Sequence, residues 1–134
     1  MMAANPMRRI HLAIGVLTVV IFLITGQLMG HHKPPMATLQ NATRLMFRSR
    51  HIYILASGLV NVMLGLYMQQ RMGWRRIVQA IGSALVVASP AILIVAFTME
   101  PEKGFQQEMP WSAAGLFVLF GGSMAHLASS SEPA

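Results

Sequence analysis

His11 and His126 are the two ionisable side chains that fall clearly inside apolar runs, one near the start of the first run and the other near the end of the last. A charged group in hydrocarbon costs about 2.5 to 3.5 kcal/mol on insertion scales, so each is a functional candidate by position alone. Both lie a few residues in from the same side, at similar depth. Two facing neutral imidazoles are what a six-coordinate haem b needs, one nitrogen lone pair on each half of the iron axis. The competing reading is interfacial: the polar edge of each ring meets water or headgroups while its body packs.

Two further groups of side chains belong to the opposite side. Met29, His31, His32 and Met36 bracket a Pro34-Pro35 turn. Thioether and imidazole together suit copper, Cu(I) above all, and would place a copper site on the periplasmic side. Loop methionines are also common as plain apolar packing. The third group is Arg44, Arg48 and His51, which spacings of four and three put on one helical stripe that continues into Leu55, Gly58, Val62 and Gly65. Guanidinium offers paired donors to planar oxyanions, so this stripe suits a lipid phosphate, a haem propionate or an acidic partner, with a quinone site close by. Snorkelling of the arginines to the membrane surface explains the same pattern. Asn61, Gln27 and Thr25 are the remaining polar residues of the spans, fit for a quinone or proton path or for hydrogen bonds between helices.

Other chemistries have no residues to carry them. The chain holds no cysteine, which removes disulfides, thiolate metal sites and cysteine nucleophiles. It has no paired intramembrane carboxylate of the kind proton-coupled transport uses, no base beside Ser89, and no glycine-rich phosphate loop. A formal charge of +6 raises the question of nucleic acid. The arginines, however, stand at the ends of apolar runs and not on a polar basic surface, so nucleic acid is not an expected partner.

The elements that position these residues follow from composition. Of 134 residues, 54% are hydrophobic and 10% charged, and the mean hydropathy is +0.54. Soluble domains carry about 25% charged residues. Four spans of about 20 residues would use most of the chain and leave no room for an extramembrane catalytic domain. The expected spans are about 10–30, 51–70, 76–99 and 110–128, with a short tail over 1–9 and a disordered one over 129–134. The first run is too long for a signal-peptide core and lacks a small-residue cleavage site, so it reads as an uncleaved anchor. Nothing between Pro35 and Arg71 breaks a helix outright, so the second helix is expected to start near Met36 and overrun the bilayer. Pro90 should kink the third.

Tyr53 and Trp111 fall on one face of the membrane, Tyr67 and Trp74 on the other, as interfacial aromatics should. The fold class expected is therefore all-α: an integral membrane, up-down four-helix bundle whose second helix extends beyond the bilayer. Lys and Arg tie across the two sides. Short loops rich in arginine and the opposite placement of Glu100, Glu102 and Glu108 favour both termini in the cytoplasm of a bacterial inner membrane. The expected function is a non-enzymatic accessory or assembly subunit, in contact with lipid and with other membrane-protein subunits or copies of itself. The alternatives are a haem b or quinone module and copper binding.

Overall fold

The computed structural model describes residues 5–103 and 108–130, and these form four long helices with two 3-10 turns and no strand. Helix α1 is Pro6–Gly30, α2 Asn41–Tyr67, α3 Trp74–Met99 and α4 Pro110–Ser130. The 3-10 turns are Met36–Thr38 and Pro101–Lys103.

Local chemistry sets each boundary. Asn5 accepts the Met7 backbone N–H on its side-chain oxygen at 3.0 Å, and Pro6 supplies a φ already suited to the first turn, so α1 starts there. The end of α2 is capped from another helix: Arg8 of α1 donates through Nε to the Gly65 carbonyl at 3.1 Å and through Nη2 to the Leu66 carbonyl. The turn into α3 passes Gly73 at φ 62°, where a side chain would be strained. Gln79 ties that turn down, donating to the Gln69 carbonyl at 2.7 Å and accepting the Arg71 N–H at 3.1 Å. Helix α2 begins at Asn41 and not near Met36, because the segment after Pro34-Pro35 closes only a 3-10 turn before Leu39 reverts to extended backbone. Ser129 and Ser130, expected in a tail, complete α4, and Ser129 is buried; positions 131–134 of that expected tail lie outside the described residues.

On α1 burial is reversed relative to a helix of a soluble protein. The inward residues of α1 are His11, Gly15, Thr18 and Thr25, while Val16, Leu17, Leu23, Ile24 and Leu28 face outward and are more than half exposed. Such a surface is stable against lipid, where helices associate through close packing and polar contacts and not through expulsion of water. Helices α1, α3 and α4 are long and apolar enough to cross a membrane. Helix α2 has the length, but Arg50, His51 and Asn61 dilute its apolar run.

Small residues create two tight helix pairs. A Cβ on Gly15 would stand 2.6 Å from the Val62 backbone nitrogen, and one on Gly65 would stand 2.7 Å from that of Leu12. On the other pair, a Cβ on Gly122 would stand 2.7 Å from the Gly82 carbonyl oxygen. The α1 and α2 backbones therefore touch, as do those of α3 and α4. Phe47, Ile54, Leu93 and Phe97 pack α2 against α3 and form the apolar core.

Candidate functional site

Pro90 is the origin of a polar cluster that joins three helices. Lacking an N–H, it leaves the carbonyl four residues earlier, that of Val86, without its helical donor. Asn61 of α2 donates through Nδ2 to this oxygen at 3.1 Å, and Ser89 donates its hydroxyl to it at 2.9 Å. Asn61 Nδ2 also donates to the Ser57 carbonyl at 2.9 Å, which fixes the amide so that Oδ1 points the other way. There it meets His11 Nδ1 at 2.8 Å. Because Oδ1 can only accept, Nδ1 carries the imidazole proton and the lone pair sits on Nε2. That nitrogen is fully buried and has no partner among the described residues.

The structure does bring the two intramembrane histidines together. The rings of His11 and His126 stand 5.9 Å apart, centroid to centroid, edge to face at 73°. His126 Nε2 lies 3.1 Å from Ser83 Oγ, whose other neighbour is the Met68 sulfur at 3.9 Å. Axial ligation of a haem would need one nitrogen from each ring aimed at a shared iron. His11 offers Nε2, whereas His126 Nε2 is already engaged. Beside His126 a cleft of about 650 Å³ opens between α2 and α4, but it does not reach His11.

The second cluster is charged. Arg50 and Glu100 form an ion pair at 3.2 Å with side chains only 5% and 1% exposed. Every acceptor of the carboxylate is used: Oε2 takes Arg50 Nε and Nη2, both at 3.2 Å, and the Ser112 hydroxyl. Oε1 takes the backbone N–H groups of Trp111 and Ser112 at 2.9 and 3.0 Å. Glu100 thus caps the open N-terminus of α4 from the end of α3 while neutralising a cation of α2. Arg50 gives two further donors to Ser49 Oγ at 3.0 Å and the Met109 sulfur at 2.8 Å.

The side chains of Arg44, Arg48 and His51 make separate contacts. Thr25 gives its single proton to the Phe22 carbonyl at 2.9 Å, so it accepts from His51 Nδ1, also at 2.9 Å. The His51 ring stacks on Phe22 with centroids 4.0 Å apart. Its role is to join α2 to α1. Arg44 bonds locally to Asn41 Oδ1 at 2.6 Å, and Arg48 is exposed.

The four residues of the copper reading are likewise dispersed in their bonding. His31 Nδ1 donates to the Gln27 carbonyl at 2.9 Å and His32 Nδ1 to that of Pro34 at 2.8 Å. Met29 and Met36 pack against the Phe47–Phe97 core. Among the described residues no three or more His, Cys, Asp or Glu side chains gather closely enough to hold a metal ion.

Comparison of the chain with known protein families, with curated proteins and with solved structures finds no match.

Proposed function

We propose that this protein is a non-enzymatic accessory or assembly subunit of a bacterial inner-membrane complex, built as an up-down bundle in which all four helices cross the bilayer. The observation that carries the reading is the use made of the buried polar side chains: each cluster fastens one helix to another. Asn61 binds α2 to α1 and α3, His51 binds α2 to α1, and Glu100 binds α3 to α2 and α4. Polar groups committed in this way make a scaffold, and the lipid-facing surface is left for association with a partner. The same bonds support a spanning α2. Its polar residues Arg50, His51 and Asn61 all meet neighbouring helices, so their hydration cost is met inside the protein.

They also favour cytoplasmic termini. With Arg50 paired internally, Arg8, Arg9, Arg71, Arg75 and Arg76 on the terminal side outnumber Lys33, Arg44, Arg48 and Lys103 on the other. Crosslinking in native membranes tests the assignment. A discrete heteromeric or homomeric band supports it, and a monomer alone under every condition overturns it.

A second reading, haem b held by His11 and His126, is favoured by the closeness of the two rings and the free lone pair of His11 Nε2. Pure protein with a Soret band that disappears in His11→Ala and His126→Ala would establish it. Colourless protein reconstituted with haem and still lacking that band would exclude it.

A further inference from the structure

We infer that the cleft between the later halves of α2 and α4 is a binding site for one anionic phospholipid, with an acyl chain along α2 and the phosphate at Arg71. This rests on the four-span reading, since both walls must lie in the bilayer.

The walls of the cleft are apolar, with Leu59, Met63 and Leu64 of α2 facing Leu127 of α4. Several polar groups of its lining are already bonded within the protein. Ser123 and Ser129 give their hydroxyl protons to the Leu119 and His126 carbonyls, Gln79 is held by the α2–α3 turn, and His126 meets Ser83. Among the described residues Arg71 is the one cation lining the cleft, and its guanidinium makes no bond to any of them. It is half-buried at the mouth, between Tyr67 and Trp74, two exposed aromatics that mark headgroup depth. A half-buried guanidinium without a partner among the described residues, at that depth, calls for an oxyanion.

Length and charge agree on the occupant. From Leu59 to Tyr67 α2 rises about 12 Å, close to the roughly 15 Å of one hydrocarbon leaflet. A volume of about 650 Å³ has room for an acyl chain with part of its headgroup. Arg8, Arg9, Arg75 and Arg76 share this end of the molecule, whereas Glu100, Glu102 and Glu108 belong to the other, so the local field selects a net negative headgroup over a zwitterionic one.

The test reconstitutes the full chain in nanodiscs of equal phosphatidylglycerol and phosphatidylcholine, then measures retained lipid by mass spectrometry after mild delipidation. Wild type should keep about one phosphatidylglycerol per chain. Arg71→Gln should lower its enrichment about fivefold, as loss of one interfacial cation would. Leu127→Trp, which fills the cleft and leaves every charge in place, should abolish it. Arg9→Gln removes an exposed charge at the same end, outside the cleft, and should leave enrichment within twofold. Equal losses in Arg9→Gln and Arg71→Gln would mean a diffuse surface field and would overturn the site. So would no preference in wild type, or a haem or quinone recovered in place of the lipid. Because the chain has no cysteine, Asn5→Cys and Ser130→Cys against Lys33→Cys and Glu108→Cys report sidedness directly. In sealed vesicles, labelling of all four positions from the same side, or of Asn5→Cys and Ser130→Cys from opposite sides, would remove the four-span reading and the inference with it, whereas the first pair on one side and the second pair on the other without lipid enrichment would remove the inference alone.

Discussion

Arg50 and Glu100 bring full charges into contact at the start of α4, whereas about 16 Å along α2 Asn61 joins three helices with neutral groups alone. The charged cluster is saturated: the carboxylate has five donors, and the guanidinium has additional acceptors in Ser49 and Met109. The neutral cluster ends in His11 Nε2, an acceptor unmet among the described residues. The difference follows from cost. Burying a charge without full compensation is severely unfavourable, so an ion pair near the end of a helix survives only where backbone donors complete it. A buried imidazole lone pair left unmet costs about 1 to 3 kcal/mol, which a neutral network can carry.

Breaking the charged cluster should therefore have the largest effect. Glu100→Ala leaves Arg50 buried and unpaired and uncaps α4, and should cost about 3 to 5 kcal/mol. Unfolding in mixed micelles followed by circular dichroism would measure it. A loss below about 1 kcal/mol would show the pair to be solvated. Replacing both partners, Arg50→Met with Glu100→Gln, should cost less than Glu100→Ala in the same assay, because no charge is stranded.

The glycine contacts come next and act on both regions alike, since they set how closely the helices approach. Gly65→Leu and Gly122→Leu should each cost about 1 to 3 kcal/mol by forcing touching backbones apart. If Gly65→Leu also frees His11, faster amide exchange around His11 and Asn61 would appear by mass spectrometry, while Gly122→Leu should leave that segment protected.

The smallest effect is expected from Arg8→Gln. It removes the donors to the Gly65 and Leu66 carbonyls and should cost less than about 1 kcal/mol, seen as fraying of the last turn of α2 by hydrogen exchange. An unchanged exchange pattern there would mean that the cap is dispensable.

Much of the fold could be read from apolar runs, and the boundaries of α3 and α4 follow Trp74, Arg75 and Pro110 closely. The site residues were less legible, for a geometric reason. Periodicity shows which side chains share a stripe but not what the stripe meets. Arg44, Arg48 and His51 share one, yet at His51 it meets Thr25 and Phe22 of α1, and by Arg44 that helix has ended. Arg50 falls off the stripe, and its partner Glu100 comes from the end of another helix, which no spacing within α2 reveals. A signal for the pair did exist, because a lone carboxylate closing one apolar helix just before Pro110 opens another is well placed to cap it. The link from Pro90 to Asn61 was also within reach. A proline inside a span demands a donor for the carbonyl four residues earlier, and Asn61 is the one amide of the apolar run in the neighbouring helix.

The claim that the polar interior serves to fasten helices is tested most directly by a double-mutant cycle between Asn61→Ala and Pro90→Ala. Asn61→Ala alone should cost about 1 kcal/mol, in the range of interhelical hydrogen bonds in membranes. In the Pro90→Ala background the new backbone N–H can reach the Val86 carbonyl, so the same change should cost distinctly less. Additive losses, within about 0.3 kcal/mol, would contradict the account by showing that Asn61 does not stand in for the donor that Pro90 removes.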